Sequence, residues 1–436
     1  MMTATLAVPS LIVDRVIRPG DRRYPQLRST YTSVATPAFI VLARDSADVA
    51  AALEFANTNR LAVSVRSGGH GLSGRSSNNG GVVIDLSEMH RVDVVDPDTR
   101  LVRVEAGARW ADVAATLGPK NLAISSGDHG NVGVGGLATG GGIGWLARTY
   151  GLTIDHVRAV DVVLPDGTAV HADANQHAEV FWAVRGAGGG VGIILAFEIE
   201  AMTLGDVGVA RFVYDVDPDG RLLHDWSTAL ADAPRALTTA GFLTSHQPTA
   251  SLVLTAVVAS SDPETVQTAL APLHTGKLRP VHAEAHIAPY TNLISTADLH
   301  GNSGQMPAVT SSAMFTDLTP DGARALMDVV LDRRRGIVQL RSLGGAVNDI
   351  AEGANAYAHR SHQVLATGTL FQRGRQSELA ELWRPVVDHA SGAYVNFESG
   401  IDPAVFHRAY PGATGDRVLK AWRDYDPDAV LRPIRV

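Results

Sequence analysis

Cysteine is absent from this chain of 436 residues. The absence excludes disulfide bonds, thiolate metal ligands and a cysteine nucleophile, and we expect no metal site. An excess of positive charge is also missing, because the formal net charge is −8 at pH 7. Nucleic acids and acidic membranes reward clustered Lys and Arg, so we expect neither as the main partner.

Long apolar runs are missing as well. The short run at residues 11–13 has no basic residue before it, and Asp14 follows at once. We therefore expect no signal peptide and no membrane span, and a cytoplasmic location.

The length and the bulk composition fit a globular protein with two domains, either consecutive or a discontinuous pair. Hydrophobic residues make up 45% and charged residues 19% of the chain. A strand at residues 39–42, a helix from Ser46 to about Asn59 and a strand at residues 61–66 predict a β-α-β opening. Three glycine clusters all lie before residue 200, which marks the first half as the ligand-binding part.

The first glycine cluster is SVRSGGHGLSG at residues 64–74, where four glycines and three serines surround His70. Glycine is used where the backbone takes a positive φ or comes close to a bulky group. The pattern indicates a loop wrapped on a ligand, with the nucleophilic His70 at the closest approach. A glycine-rich β-bulge or turn without a ligand is the alternative.

The second glycine cluster, residues 127–144, holds nine glycines in eighteen positions. Apolar residues such as Val134 and Leu137 thread through it, so it is packed rather than a solvated linker. The glycine content is best explained by backbone N–H groups that face a phosphate or pyrophosphate, for example at a helix start. Residues 133–138 match the dinucleotide pattern G-x-G-x-x-A, but residues 125–129 before them are not a strand, which argues against a Rossmann site.

The third glycine cluster, residues 186–192, runs into a predicted strand at residues 193–201. Past residue 202 the pattern changes to alternating segments at 208–215, 236–246 and 251–260, with helical stretches near 262–271 and 320–335. This change predicts a second domain built on an antiparallel sheet.

Five motifs in order resemble those of a known enzyme family. They lie at residues 64–74, 82–87, 132–152, 181–193 and 394–396, the last with 417–427. The chain resembles the vanillyl-alcohol oxidase superfamily of PCMH-type FAD-binding proteins. It is most similar to the berberine-bridge-enzyme-like branch, which includes 6-hydroxy-D-nicotine oxidase.

The resemblance implies an α+β fold in which a two-part FAD-binding domain receives an inserted antiparallel-sheet substrate domain. The expected boundaries are 1–204 for the FAD-binding domain, 205–388 for the substrate domain and 389–436 for a carboxyl-terminal segment that returns to the first domain. The residues expected to bind FAD are Arg66, Ser67, Gly68, Gly69, His70, Gly71, Gly74, Asp85, Gly127, Asp128, His129, Val132, Gly133, Gly136, Gly140, Gly141, Gly142, Gly144, Gly192, Ile193, Tyr394 and Asn396.

His70 is implied as the attachment point of FAD, which agrees with its position in the first glycine cluster, since a neutral imidazole is a competent nucleophile. Many relatives carry a second link from a cysteine, and His129 stands at that position here. We therefore expect a link through His70 only. His129 is either a polar wall beside the flavin or a loop residue that satisfies backbone groups. Val132 resembles the oxidase pattern, in which a small residue admits oxygen, or is a plain core valine.

The catalytic base is unknown, and Phe397 stands where several relatives have a tyrosine that serves as the base. Tyr394 and Asn396 are expected to pack against the flavin ring. If a base is needed, it comes from the substrate domain, while an amine substrate that arrives neutral needs none. The candidate bases are His246, His286, Tyr290, His300, Tyr357, His359 and His362.

The leading hypothesis is an FAD-dependent oxidase that removes a hydride from a C–H next to an amine or alcohol and reduces O2 to H2O2. Its partners are a small-molecule substrate and O2. The alternatives are a dehydrogenase with another electron acceptor, and a protein that keeps FAD only as structure. The substrate and the oligomeric state leave no readable pattern in the sequence.

Overall fold

The computed structural model describes residues 6–294, 301–372, 374–400 and 402–431. The first part of the chain forms a four-stranded sheet with β1 (Val16–Ile17), β2 (Phe39–Leu42), β3 (Val63–Arg66) and β4 (Val82–Asp85), and two helices, α1 (Tyr24–Leu27) and α2 (Ser46–Thr58). The strand order is β1-β2-β4-β3. The predicted β-α-β opening is present, but β4 lies between its two strands and runs parallel to both.

The position of β4 follows from its composition, because all four of its residues are buried. A strand that is apolar on both faces is stable only when both faces are covered, as in the centre of a parallel sheet. The helix α2 begins at Ser46, as predicted, and its cap is Asp45, whose side chain accepts a hydrogen bond from the N–H of Asp48 at 2.9 Å.

The second part of the chain, up to residue 203, adds seven strands and four helices. The strands are β5 (Val92–Asp96), β6 (Leu101–Glu105), β7 (Leu122–Ala123), β8 (Val157–Val163), β9 (Ala169–Asp173), β10 (Ile193–Glu200) and β11 (Met202–Thr203). The helices are α3 (Trp110–Leu117), α4 (Val134–Gly140), α5 (Ala147–Tyr150) and α6 (Ala178–Val184). The order β5-β6-β10-β8-β9 makes an antiparallel sheet in which β8 and β9 form a hairpin, while β7 and β11 pair with each other.

The third part forms a seven-stranded antiparallel sheet in the order β15-β12-β14-β13-β17-β18-β16. Its strands are β12 (Asp206–Val216), β13 (Leu237–His246), β14 (Thr249–Val258), β15 (His282–Pro289), β16 (Ala308–Phe315), β17 (Ile337–Ser342) and β18 (Val364–Phe371). Its helices are α7 (Arg221–Ala231), α8 (Pro263–Leu270), α9 (Thr291–Ile294), α10 (Pro320–Leu331) and α11 (Gln376–Asp388). One face of the sheet packs on α7, α8, α10 and α11 in a separate apolar core.

The carboxyl-terminal segment returns to the amino-terminal half of the chain through α12 (Pro403–Ala409) and α13 (Gly412–Tyr425). Trp422 packs against Gly190 so closely that a Cβ there would overlap its ring. The hydroxyl of Tyr410 donates to the carbonyl of Gly186 at 3.0 Å. The predicted α+β fold with an antiparallel sheet is confirmed, while the boundaries 1–204, 205–388 and 389–436 stay predictions.

A buried arginine joins α5 to the seven-stranded sheet and its helices. The guanidinium of Arg148 donates to the carbonyls of Leu237 at 2.8 Å, Leu230 at 3.0 Å and Ala233 at 3.2 Å, and also to that of Leu343. Burial lowers the pKa of Arg148 to about 10, so it stays charged at neutral pH. A buried cation is stable only where such acceptors are in place.

Membrane crossing needs a helix of about 20 apolar residues. Within the ranges that the structure describes, none of the helices has that length and apolar character.

Candidate active site

The loop that carries His70 begins where an ion pair closes two strand ends. Arg66 ends β3, Asp85 ends β4, and the two residues are register partners in the parallel sheet. The guanidinium Nε of Arg66 donates to Asp85 Oδ2 at 2.6 Å, and both side chains are buried. Removal of one member of a buried pair leaves an uncompensated charge, so the pair fixes where the loop leaves the sheet. Binding of FAD by these two residues stays a prediction.

Glycines in the loop allow the first and second glycine clusters to touch. A Cβ on Gly68 would overlap the main chain of Gly133. The hydroxyl of Ser67 donates to the carbonyl of Ala106 at 2.6 Å, and Gly69 has a φ of +68°. In contrast, no atom of the described residues, apart from the chain neighbours, lies within 4 Å of a Cβ built on Gly71, so the described part of the structure leaves the loop open at that point.

His70 lies between two aromatic rings. Its imidazole stacks on Tyr31 with the ring centroids 4.2 Å apart and the planes 12° from parallel. The centroid of the His129 ring lies 5.2 Å from that of the His70 ring. The N–H of Tyr31 donates to the carbonyl of Gly69 at 2.9 Å, which ties Tyr31 to the loop. The structure therefore brings together the two histidines that the sequence singled out, and adds Tyr31, which it did not.

The second glycine cluster uses several of its N–H groups within the protein. Those of Val132, Val134 and Gly135 donate to the carbonyls of His129, Ala108 and Ala106. Fewer N–H groups of this cluster are therefore left to face a phosphate than the sequence predicts. Gly136 is exposed, and among the ranges that the structure describes only its own neighbours come within 4 Å of a Cβ built on it, so the cluster is open there.

Most other predicted glycines face protein atoms. A Cβ on Gly140 would overlap Asn396, and one on Gly142 would overlap Thr153. A Cβ on Gly127 would likewise overlap Leu137, one on Gly144 the carbonyl of Ser126, and one on Gly192 the side chain of Val162. Gly74 has a φ of +70° and Gly141 one of +143°, which side chains rarely allow. Close packing accounts for these glycines, and contact with FAD at these positions and at the buried Ile193 stays a prediction.

Tyr394 and Asn396 attach the carboxyl-terminal segment to the second glycine cluster. The hydroxyl oxygen of Tyr394 accepts from the N–H of Gly142 at 3.0 Å and from Asn396 Nδ2 at 3.2 Å. Asn396 Nδ2 also donates to the carbonyl of Gly136 at 3.2 Å. Burial raises the pKa of Tyr394, although these donors oppose the shift. The pair therefore lies at the open edge of the cluster, and its packing against the flavin ring stays a prediction.

Arg341 on β17 reaches across from the seven-stranded sheet to the second glycine cluster. Its Nη2 donates to Asp128 Oδ2 at 2.6 Å, and its guanidinium carbon lies 4.6 Å from the centroid of the Phe397 ring. The side chain is 7% exposed. Its Nε and Nη1 atoms are buried and have no hydrogen-bond partner among the described residues. Buried polar atoms of this kind mark the place of a ligand or a water.

Two residues beside the site escaped sequence reasoning because no local pattern marks them. Arg341 lies in a strand with no unusual sequence pattern, and only the tertiary fold brings its side chain to Asp128. Asn302 lies in an irregular segment, yet its Nδ2 donates to the carbonyl of Gly68 at 3.0 Å. Both contacts join residues more than 200 positions apart in the chain.

The candidate bases fall into different places. His246 and His286 are exposed on the sheet, and His300 lies outside the described residues. Tyr290 is buried, and burial raises its pKa.

Tyr357, His359 and His362 form a buried cluster. The ring of Tyr357 is 6.3 Å from that of Tyr394, and His359 lies 4.8 Å from His362. Burial lowers the pKa of His359 to about 3 and that of His362 to about 4, so both rings are neutral at neutral pH. Burial also raises the pKa of Tyr357, and of the candidate bases only Tyr357 is seen to contact Tyr394 among the described residues.

The residues present fit FAD. The backbone is open at Gly71 and Gly136, where a large flat ligand can approach it without a side chain in the way. The half-buried His70 lies beside this opening with its ring orientation fixed by Tyr31. Unpartnered guanidinium nitrogens of Arg341 supply donors for electron-rich groups.

Comparison with known proteins agrees with this fit. Residues 37–173 match the family model described as an FAD binding domain. The chain is 32% identical over 214 residues to (R)-6-hydroxynicotine oxidase of Paenarthrobacter nicotinovorans, a match that spans 49% of this chain and 46% of the relative. It is 25% identical over 438 aligned positions to an uncharacterised FAD-linked oxidoreductase, YgaK, of Bacillus subtilis (strain 168), which covers 97% of this chain and 96% of the relative.

A solved structure of 6-hydroxy-D-nicotine oxidase from Arthrobacter nicotinovorans superposes with a TM-score of 0.84 at 22% identity, over 99% of this chain and 100% of that one. At this identity the likeness shows the fold. The match to (R)-6-hydroxynicotine oxidase spans about half the length of that relative.

Residues 37–173 thus carry an FAD binding domain, and the fold shared with the solved 6-hydroxy-D-nicotine oxidase and a BBE-like protein of Physcomitrella patens is consistent with the predicted resemblance to the berberine-bridge-enzyme-like branch of the vanillyl-alcohol oxidase superfamily. The names of the relatives confirm, at the level of class, the prediction of an FAD-dependent oxidoreductase. The activity, substrate and electron acceptor of the whole protein are proposals.

Proposed function

We propose that the protein is an FAD-dependent oxidase that oxidises a small molecule at a C–H next to an amine or alcohol, with FAD held covalently through His70 alone. The observation that carries the proposal is the position of His70. Its ring is stacked on Tyr31 at the open end of a glycine loop that packs on the second glycine cluster. The proposed substrate class follows the amine and carbohydrate oxidases among the relatives.

The reaction balances as a two-electron oxidation. The substrate loses a hydride from carbon and a proton from its nitrogen or oxygen, and it leaves as an imine or a carbonyl compound. FAD supplies the two-electron acceptor, and O2 takes up the electrons with two protons to give H2O2. The chain supplies attachment, orientation and a shaped pocket.

Single attachment follows from the residues present. The chain has no cysteine, so a second link of the cysteinyl kind has no donor. His129 lies beside His70, and we assign it to the wall of the site. Val132, which follows in the same loop and is half-buried, is the residue that would set the access of O2 to the site.

Proton transfer does not depend on Phe397, which has no ionisable group. Asn396 and the N–H of Gly142 donate to the Tyr394 oxygen, so Tyr394 is fixed as a positioning residue at the edge of the second glycine cluster. A neutral amine loses a hydride without prior loss of a proton. This favours an amine, or an alcohol whose proton passes to water.

Acid denaturation of the purified protein tests the attachment. Flavin is expected to stay yellow on the wild-type chain, and His70→Ala is expected to release it. The matched control, His129→Ala, changes the neighbouring histidine and is expected to keep the flavin attached. Free flavin from the wild type, or attached flavin in His70→Ala, would contradict the proposal.

A panel of amines, alcohols and sugars under anaerobic conditions tests the activity. At least one compound is expected to bleach the flavin, and air is expected to restore its colour within seconds with formation of H2O2. Restoration over minutes would indicate a dehydrogenase with another acceptor. A flavin that no compound in the panel bleaches would indicate a structural cofactor.

A further inference from the structure

The strand β15 is an outer edge of the seven-stranded sheet in the described part of the chain. It pairs with β12 over all eight of its residues, yet only Ala288 among them is even partly buried. An edge strand offers a row of backbone N–H and C=O groups to another chain. β15 has no lysine, its register has no bulge, and its one proline is its last residue.

The backbone groups that face outward can be identified from the pairing. The N–H of Tyr290 donates to the carbonyl of Gly205 at 3.2 Å, one step beyond the end of the ladder. Bonded and non-bonded pairs alternate in an antiparallel ladder. Residues 282, 284, 286 and 288 therefore bond to β12, and Ala283, Ala285 and Ile287 point their N–H and C=O groups away from the sheet.

The side chains of the same three residues face an apolar groove. Ala283 is the register partner of Phe212, and a groove of about 460 Å³ lies between β15 and the helix α8, where Val266 and Leu270 line it. Ile287 is 40% exposed on this face. The small Ala283 and Ala285 leave room beside the groove for a larger side chain. The opposite face carries His282, Glu284 and His286, and Glu284 lies 3.8 Å from His282.

We propose that β15 pairs antiparallel with β15 of a second copy of this chain, about a two-fold axis at Ala285. In this register Ala285 faces its own copy, and each Ala283 faces the Ile287 of the second copy. All three outward-facing residues then find partners, and both sheets join into one. The Ile287 of each copy extends over the small Ala283 at the groove of the other.

Charge complementarity selects this register. A two-fold axis at Ala285 places Glu284 opposite His286 of the second copy, twice by symmetry, and a histidine N–H donates to a carboxylate. An axis at Glu284 would place Glu284 against Glu284, and an axis at His286 would place His286 against His286. Two carboxylates directly opposite in a ladder are destabilising, and a histidine opposite a histidine has no carboxylate to accept its N–H. The surface is thus self-complementary in one register, as a symmetric dimer requires.

Light scattering after size exclusion, with the FAD-loaded full chain at several concentrations, tests the proposal. The wild type is expected to be a dimer whose fraction rises with concentration. Ala285→Pro removes the outward N–H at the axis and none of the bonds to β12, so we expect a folded monomer with an unchanged circular dichroism spectrum. The control Ala240→Ser lies in β13, away from the edge, and is expected to leave the dimer intact.

Exchange of Glu284 and His286 tests the register. His286→Glu places Glu against Glu and Glu284→His places His against His, and each is expected to weaken the dimer roughly 3- to 10-fold. The double variant Glu284→His/His286→Glu restores an opposite pair and is expected to recover the wild-type affinity. A monomeric wild type, a dimeric Ala285→Pro or a double variant no tighter than either single variant would overturn the proposal. Each outcome is independent of the proposed oxidase activity.

Discussion

Tyr31 stacks on His70 although no motif of the sequence includes it. A parallel ring contact at 4.2 Å restricts the rotation of the imidazole. The N–H of Tyr31 is tied to the carbonyl of Gly69, so the stacked ring and the loop move together. Tyr31 is therefore placed to hold the nucleophilic nitrogen of His70 in one direction.

Replacement of Tyr31 tests this orientation. Tyr31→Ala is expected to slow covalent attachment of flavin roughly 2- to 10-fold, because an aromatic stack contributes about 0.5–1.5 kcal/mol to the orientation of the ring. The rate is measured as acid-stable flavin after FAD is added to protein produced without it. Tyr31→Phe keeps the stack and is expected to attach flavin at the wild-type rate. Equal rates in all three proteins would show that the stack has no such role.

At the scale of elements, the sequence predicts those that have a local signature. The strands β12 to β14 and the helices α8 and α10 are all found near their predicted bounds. The insertion of β4 between β2 and β3 could not be predicted, because strand order depends on packing between distant residues. Likewise the first glycine cluster and the family resemblance singled out His70 and His129, whereas Arg341 and Asn302 reach the site only through the tertiary fold.

The segment between β17 and β18 contains two neutral histidines that make stability depend on pH. The unfolded chain binds protons at His359 and His362 below the ordinary pKa of 6.5, while the folded chain resists this down to about 3 and about 4. The stability that the two rings contribute is complete above pH 6.5, falls progressively below that value, and is gone once the pH is below the folded pKa values of about 3 and about 4.

We therefore expect the free energy of unfolding to fall on mild acidification, by at most about 1.4 kcal/mol per pH unit for each histidine. Urea titrations from neutral to mildly acidic pH measure it. His362→Gln removes one titrating ring and is expected to show a shallower slope than the wild type. Parallel slopes would mean that other groups control the acid response.

At the scale of the whole molecule, the seven-stranded sheet contacts the second glycine cluster through Arg341 and Asp128. The pair is largely buried, with side chains 7% and 25% exposed. A charge that loses its partner in such a place is destabilising. The pair thus couples the sheet to the loop that also carries His129.

A double-mutant cycle measures this coupling. Arg341→Met and Asp128→Asn are each expected to lower the free energy of unfolding, and the double variant is expected to lose less than their sum by about 0.5–3 kcal/mol. Urea titration of the three variants and the wild type gives the four values. Strict additivity would show that the two residues act independently. The Asp332–Arg334 pair, which lies elsewhere in the sheet part at 2.8 Å, serves as a control cycle.

Arg148 also bears on how the sheet part can be exchanged between related proteins. Its four acceptors are main-chain carbonyls of residues 230, 233, 237 and 343, and a carbonyl is present whatever the side chain. A grafted sheet from a relative need not keep any particular residue at these four positions. It must keep the path of its backbone there. The junction thus allows the seven-stranded sheet part to diverge in sequence, whereas a graft whose main chain is displaced there would leave the buried Arg148 without its acceptors.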